Sequence, residues 1–382
     1  MLPDNAGMSS PPSPARLLLL LFALLAAPVH ALELRMLISW DENYPGVPQM
    51  AERFARKVDE ASGGEVTFAL TGPDSIPAFE QLLPVSLGIF DLLFTHGGFH
   101  LETTGIGLAL DAVDTDPETL HSSGIWNAVD QAYQKHGLKL LAIPVASTGY
   151  QVFLREPLTQ NCSLDGRTIR AAPSYARLLE SLGARPVSLP IGEVHDALRD
   201  KTIDGVAWST IGALNFKWYE VNRYLMRPTF GVASHLLLMN LDTWANLPLD
   251  LQRLLLEQGG KLEQKAVTRF RKVAASEMND LNVTGMQISS LCHKGARRVK
   301  REWAEGIWHL ATDSSGNEVR ALRELAQKAG VTPSNTSDDE KHDEGATTRQ
   351  TPPADEDVKH ETPVMPPSAV PDAPSTSTGE HP

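Results

Sequence analysis

The chain has very little cysteine. Only Cys162 and Cys292 occur among its 382 residues. Two isolated cysteines cannot build a structural zinc site, which normally takes four cysteine or histidine ligands. They could pair in an oxidising compartment, but the spacing along the chain carries no geometric information about whether they meet. The sequence therefore argues against a cysteine-built metal centre and leaves a disulfide bond open.

Basic residues are too few for a polyanionic partner. The formal net charge is -13, of which the residues from Val331 onward contribute -8 through 11 acidic and 3 basic side chains. Residues 1–330 therefore carry only -5. Nucleic-acid binding needs a basic face that neutralises phosphates, so we expect no nucleic-acid partner. A buried pocket could still hold a small anion through its own local donors.

The apolar run near the N-terminus is too short to span a bilayer. It covers 11 residues, Leu17–Ala27, and follows Arg16, whereas a spanning helix needs about 20 residues. Val29, His30 and Ala31 then fit the small-x-small cleavage pattern. We expect residues 1–31 to be a signal peptide, cleaved after Ala31, that exports the protein. A membrane anchor is the alternative, and translation could start at Met8.

Motifs that mark catalytic sites are missing. The chain has no G-x-S-x-G, no G-K-[ST] loop and no H-E-x-x-H. His96 and His100 lie four positions apart in HGGFH, but the two glycines between them argue against a helix that presents both rings to one metal ion. We therefore expect a protein that is not an enzyme and that carries neither a metal nor a cofactor.

Two stretches of the chain repeat one alternation of strands and helices. Residues 34–95 and 164–208 each read as strand, helix, strand, helix, strand, and each ends with an aspartate that enters an apolar strand. Right-handed crossovers place such strands side by side in a largely parallel sheet. We expect a two-lobed α/β fold of the periplasmic-binding-protein type, with parallel or mixed sheets flanked by helices and a ligand cleft between the lobes.

The rest of the chain is predicted to connect and support these lobes. We expect lobe 1 at about 32–145, lobe 2 at about 155–235, and the whole domain at 32–331. An aromatic-rich helix is expected at Leu214–Met226, where packing is favoured over ligand contact. The helices expected after a strand at 232–239 lie at 241–259, 261–281, 294–312 and up to about 329. Residues 332–382, rich in Pro, Ser, Thr, Asp and Glu, are expected to form a disordered acidic tail.

Arg170 has the most informative position in the sequence. It lies in the first predicted strand of the second unit, at 168–172, which leads to the point where the next helix begins. A guanidinium at that point can hold a carboxylate through two parallel hydrogen bonds, assisted by the positive end of the helix. A surface salt bridge is the alternative, because such pairs are common.

Several segments resemble the DctP-type solute-binding proteins of TRAP transporters. The most specific are LDGRTIRAAPS around Arg170, which is similar to the family's G-x-x-x-R-x-x-x-S motif, and D-x-W-x-x-L-P at 242–248. The resemblance covers about 34–329 and implies a periplasmic protein, expected to be a monomer. It would capture a small organic carboxylate and deliver it to the small and large membrane subunits of a transporter.

The resemblance also implies the residues that contact the ligand. Arg170 matches the arginine that holds the carboxylate. Tyr150, Trp208 and His96 stand where sialic-acid-binding members are expected to have arginine, asparagine and glutamate, which disfavours sialic acid and favours a less polar or aromatic carboxylate. Trp40 and Tyr44 follow the first strand and are expected in the same cleft. A ligand-sensing module that feeds a signalling receptor, or a periplasmic enzyme on the same scaffold, remain alternative functions.

Overall fold

The computed structural model describes residues 31–114, 116–146, 148–159 and 163–333. The predicted signal peptide, apart from Ala31, and the predicted tail beyond residue 333 lie outside the described residues. So does Cys162, and with it the question of a disulfide bond. Among the described residues, no helix is both long enough and apolar enough to cross a membrane.

In the described part of the chain, twelve strands form two mixed sheets of six strands each. In the first sheet the order is β2-β1-β3-β11-β4, and β5 pairs with β11; in the second it is β12-β10-β6-β9-β7-β8. The bounds are β1 Leu32–Ile38, β2 Val66–Thr71, β3 Leu92–His96, β4 Leu138–Ala142, β5 Val145–Ala146, β6 Tyr150–Leu154, β7 Thr168–Arg170, β8 Arg185–Val187, β9 Gly205–Ser209, β10 Tyr224–Arg227, β11 Ala233–Asn240 and β12 Gln287–Ser290.

Ten α-helices, counted over the described residues, cover the faces of these sheets. They are α1 Glu52–Ser62, α2 Leu82–Ser86, α3 Ile106–Ala109, α4 Pro117–Ser122, α5 Ile125–Gln134, α6 Ala176–Ser181, α7 Val194–Arg199, α8 Leu241–Asn246, α9 Leu249–Val283 and α10 His293–Lys328. Short helical turns precede α1, α2, α6 and α7. The last helix bends at Ser315, whose backbone leaves the helical region at φ -143° and ψ 59°.

The two predicted repeats both form. In the first, β1 pairs in parallel with β2 and β3; in the second, β7 pairs in parallel with β8 and β9. The apolar alternation of these segments explains the result, since each strand buries its apolar residues against helices that carry a matching apolar stripe. The antiparallel strand β11 returns the chain to the first sheet after the second sheet has begun, and β6 runs antiparallel between β9 and β10.

The helix predicted at Leu214–Met226 is wrong. Lys217 has a left-handed backbone at φ 54°, a short turn follows at Trp218–Glu220, and the chain then forms β10. The helical spacing of the aromatic residues was misleading because the second sheet places them in its own core. Trp218 is fully buried and packs edge-on against Phe153 of β6, at 5.7 Å between ring centroids. Tertiary packing here overrides local periodicity.

The break predicted between two helices at Gly259 and Gly260 is also wrong, because α9 runs through both glycines. The reason is packing: a Cβ on Gly259 would lie 2.4 Å from the backbone oxygen of Leu141 in β4. Glycine at this position lets the helix approach the first sheet closely, at the usual conformational cost of a helical glycine. The strand β12, which follows α9, was not predicted.

Gly259 and Gly260 offer a matched test of this packing. Gly259→Ala is expected to lower the free energy of unfolding by about 1–3 kcal/mol, because the methyl group would force helix and sheet apart. Gly260→Ala meets no atom within 4 Å, so it should raise stability by about 0.5–1 kcal/mol through better helix propensity. Urea unfolding of both variants measures the difference, and equal effects of the two substitutions would contradict the packing explanation.

The folded domain extends slightly beyond the predicted boundary at 331. Thr332 is only 8% exposed, and its hydroxyl oxygen accepts a hydrogen bond from Nε1 of Trp308 in α10 at 3.0 Å. The backbone oxygen of Val331 accepts from the N–H of Asp114 at 2.9 Å. These contacts fix the end of α10 to the loop before α4, so any deletion of the C-terminal segment should begin after Pro333.

Candidate functional site

A large cleft lies where strands of both sheets end. Its volume is about 1440 Å³. His96 and Arg170 are the last residues of β3 and β7, Trp208 lies one residue before the end of β9, and Trp40 follows β1. Carboxyl ends of strands are the usual place for ligands in α/β folds. All six residues expected to contact a ligand line this one cleft: Trp40, Tyr44, His96, Tyr150, Arg170 and Trp208.

Arg170 is held by the second sheet but has no protein counter-ion. Its Nε donates to the backbone oxygen of Leu189 at 3.0 Å, which orients the guanidinium. Nη1 is buried and has no hydrogen-bond partner among the described residues. Within that same part of the chain, no carboxylate forms an ion pair with Arg170, so the alternative of a surface salt bridge is not observed. Burial lowers the pKa of Arg170, an effect that Tyr175 partly offsets.

Trp208 covers one face of this guanidinium. The distance from Cζ of Arg170 to the ring centroid is 5.4 Å, within range for a cation–π contact. Phe216 and Trp218 pack edge-on against Trp208 at 5.7 and 5.8 Å and fix its ring. Trp208 therefore forms a fixed wall of the cleft beside the guanidinium.

The first sheet contributes an aromatic wall on the opposite side. Trp40 stacks on Tyr44 at 4.8 Å and meets Phe99 at 5.4 Å. Phe79 extends this wall: its ring lies 5.2 Å from that of Phe99 while the residue is 72% exposed. Exposed aromatic surface at the mouth of a cleft is costly in water and is typical of a ligand-binding or contact surface.

A buried carboxylate lies beneath this wall. Asp111 is 2% exposed and accepts hydrogen bonds from His96 Nε2 at 2.9 Å, from the hydroxyl of Tyr150 at 3.2 Å and from the backbone N–H of Ser234 at 2.9 Å. Gly98 donates its N–H to Nδ1 of His96 at 3.0 Å, so in the neutral ring Nε2 carries the proton. Burial lowers the pKa of His96, but attraction to Asp111 outweighs this and raises it.

Tyr44 and His235 are hydrogen-bonded to each other beside the cleft. Nδ1 of His235 faces the backbone oxygen of Pro144 at 3.3 Å, and Nε2 lies 2.6 Å from the hydroxyl of Tyr44. Burial lowers the pKa of His235 to about 3, so the ring is neutral at physiological pH and Nε2 accepts a hydrogen bond from the Tyr44 hydroxyl. Burial also raises the pKa of Tyr44, which keeps its hydroxyl protonated as a donor.

The two histidines of HGGFH have separate roles. His96 bonds to Asp111, whereas Nε2 of His100 lies 2.5 Å from the hydroxyl of Tyr133. Burial lowers the pKa of His100 to about 3. Over the described residues, no group of three or more His, Cys, Asp or Glu side chains is arranged to hold a metal ion.

Sequence reasoning missed four residues of this site. Asp111, His235 and Phe79 lie outside the predicted motifs, and Phe99 lies within HGGFH but was not predicted to contact a ligand. Phe99 could have been predicted, because it comes shortly after β3, as Trp40 comes shortly after β1. Nothing in the sequence distinguishes Asp111 from a surface acid, since it lies in a short turn between apolar residues.

Comparison with known proteins supports a solute-binding site. The model of the DctP family, described as bacterial extracellular solute-binding protein, family 7, matches residues 108–308. A solute-binding protein of Sulfitobacter sp. (strain NAS-14.1) is 26% identical over 170 residues, which are 41% of this chain and 51% of that protein. The chain spans about half the length of the curated relatives it matches.

Solved structures show that the fold is shared over a longer stretch. DctP7 of Bordetella pertussis, an extracytoplasmic solute receptor binding pyroglutamic acid, is 17% identical with a TM-score of 0.64, covering 78% of this chain and all of that chain. A TRAP periplasmic solute-binding protein from Desulfovibrio salexigens with bound orotic acid is 18% identical with a TM-score of 0.65, covering 78% and 98%. The predicted two-lobed α/β fold is thereby confirmed.

The resemblance predicted from the Arg170 segment is confirmed, since the matched residues include Arg170, Tyr150 and Trp208. The family consists of extracytoplasmic receptors that bind solutes, so the prediction that the chain is not an enzyme is confirmed as well. With a family model that extends over more than half of its length, the chain belongs to family 7 of the bacterial extracellular solute-binding proteins, the DctP family.

Proposed function

We propose that this protein captures a small organic carboxylate in the cleft and delivers it to the small and large membrane subunits of a TRAP-type transporter. One observation carries the proposal: Arg170 lines the cleft, its buried Nη1 has no hydrogen-bond partner, and its guanidinium has no counter-ion among the described residues. A desolvated cation of this kind is costly unless an anion binds to it. A carboxylate matches the planar fork of the guanidinium.

The other predicted residues shape the cleft around this cation. Trp208 orients Arg170, while Trp40 and Tyr44 provide apolar surface across from it. His96 and Tyr150 are both hydrogen-bonded to Asp111, which fixes their positions in the cleft. Two relatives with the same fold are described with bound pyroglutamic acid and orotic acid, which supports an acid as the ligand here.

We propose two lobes, each built around one of the sheets, although β6 and β12 of the second sheet lie outside the bounds of lobe 2. Lobe 1 comprises about 32–145 and lobe 2 about 155–235, with β11 crossing back into the first sheet. Closure of the lobes over the ligand would bring the aromatic wall toward Arg170. We further propose that residues 1–31 act as a signal peptide that delivers the protein to the periplasm, where it works as a monomer.

Native mass spectrometry of the freshly purified protein tests this function. We expect a fraction of the molecules to carry a bound small acid whose mass is released on denaturation, because a site of this kind retains its ligand when dissociation is slow. A purified protein that is free of ligand should bind members of a panel of small carboxylates, with calorimetric titration as the readout. Binding of uncharged analogues with equal affinity would contradict the proposal.

A further inference from the structure

We infer that the carboxylate taken by this cleft is an aromatic monocarboxylate, with one carboxyl group on a planar ring and an uncharged distal end. The inference rests on the proposed function and narrows it to one substrate class. It follows from three properties of the cleft: the number of its arginine and lysine side chains, the hydrogen bonds that its polar groups already make within the protein, and the aromatic surface contributed by the first sheet.

The cleft provides for one negative charge only. Arg170 is the single arginine or lysine among the described residues that line it, and the other charged groups there are Glu80 and Glu102. A second carboxylate would have to lose its hydration without meeting a cation, close to two acidic side chains. Burial of an unpaired carboxylate is strongly unfavourable, so dicarboxylates should be rejected.

Four polar side chains of the cleft are already bonded to the protein. The ring nitrogens of His96 and His235 each have a partner, and the hydroxyls of Tyr44 and Tyr150 are bonded to His235 and Asp111. His235 is neutral, because burial lowers its pKa to about 3. A ligand with hydroxyl groups at its distal end would find few unoccupied donors or acceptors among these four side chains.

The surface that remains is aromatic. Trp40, Phe99 and Phe79 form a continuous edge-to-face series, with ring centroids 5.4 and 5.2 Å apart. The exposed ring of Phe79 lies at the cleft and has open surface for another ring. Aromatic pairs gain energy beyond that of burial alone when stacked or edge-on. A planar ring carried by the carboxylate would complete this series.

Three matched acids test the substrate class by calorimetric titration of the ligand-free protein. p-Toluate carries one carboxylate on a ring, terephthalate replaces the methyl group by a second carboxylate, and 4-methylcyclohexanecarboxylate replaces the aromatic ring. We expect p-toluate to bind best. Terephthalate should bind at least about tenfold more weakly, from the unpaired charge, and the cyclohexane acid about three- to tenfold more weakly, from the lost aromatic contacts.

Variants separate this inference from the proposed function. Phe99→Leu should lower the affinity for p-toluate by about three- to tenfold and leave the affinity for the cyclohexane acid nearly unchanged. Arg170→Ala should abolish binding of all three acids. Thermal unfolding confirms that both variants fold. If terephthalate binds as tightly as p-toluate, the inference of an aromatic monocarboxylate is wrong, but the proposed capture of a carboxylate still holds. The same conclusion follows if malonate or pyroglutamate binds more tightly than all three acids. Binding that survives in Arg170→Ala would overturn both.

Discussion

Replacing Arg170 with alanine is expected to abolish carboxylate binding while the fold persists. Arg170 is the only arginine or lysine among the described residues of the cleft, and its buried Nη1 has no protein partner there. Truncation of one partner of a buried charge pair costs about 2–5 kcal/mol, which corresponds to a loss of about 30-fold to several thousandfold in affinity. Isothermal titration of the ligand recovered from the native protein measures this loss.

Two further variants show whether geometry or charge alone matters. Arg170→Lys keeps the charge but loses the planar fork and the bond from Nε to Leu189, so we expect weakened binding rather than none. Arg185→Ala serves as a matched control, because Arg185 lies on the neighbouring strand β8 and bonds only to the hydroxyl of Thr168 among the contacts of its side chain. Unchanged affinity in Arg170→Ala would refute the assignment of Arg170 to carboxylate binding.

Replacing Asp111 with alanine is expected to destabilise the domain by about 3–5 kcal/mol, because a buried hydrogen-bonded carboxylate is removed from its partners. Three donors would lose their acceptor in a buried site: His96 Nε2, the hydroxyl of Tyr150 and the N–H of Ser234. The loss of the carboxylate also removes the attraction that raises the pKa of His96. Chemical denaturation followed by tryptophan fluorescence measures the change in the free energy of unfolding.

A nearby acid provides the control for this prediction. The side chain of Asp114 is 65% exposed and pairs with Lys300 at 3.3 Å on the surface. Asp114→Ala should change stability by less than about 1 kcal/mol, since exposed ion pairs contribute little. Asp111→Asn retains one acceptor oxygen, so its loss of stability should lie between those of Asp111→Ala and Asp114→Ala. Similar stabilities of the Asp111→Ala and Asp114→Ala proteins would show that the Asp111 hydrogen bonds do not support the cleft.

Much of the fold could be predicted because it is local in the chain. The strands β1, β3, β7 and β9 are short apolar runs bounded by turns, and their order with α1, α6 and α7 implies parallel pairing. The position of Arg170 follows from the same local pattern, since the end of a strand before a helix faces the ligand side of an α/β sheet. The residues that follow β1, namely Trp40 and Tyr44, could be placed in the cleft by the same rule.

Other elements depended on contacts that a sequence pattern does not contain. The segment at 214–226 has helical spacing, yet β10 forms because β6 and β12 supply hydrogen-bonding edges on both sides. The long helix α9 continues through two glycines. At Gly259 a side chain would collide with the backbone of Leu141, which lies more than a hundred positions earlier in the chain. In both places the competing local preference is weak compared with the burial and hydrogen bonding gained in the sheet.

Local patterns were enough to predict the two-lobed α/β arrangement and the arginine at the cleft, because strand periodicity and strand-to-helix turns are properties of neighbouring residues. Which polar side chains of the cleft have protein partners could be seen only in the folded chain. Asp111 meets His96, Tyr150 and Ser234, and Tyr44 meets His235, through contacts between segments distant in the chain. Whether a polar side chain is left available for a ligand depends on such partners, which are set by how the sheets pack and not by local sequence.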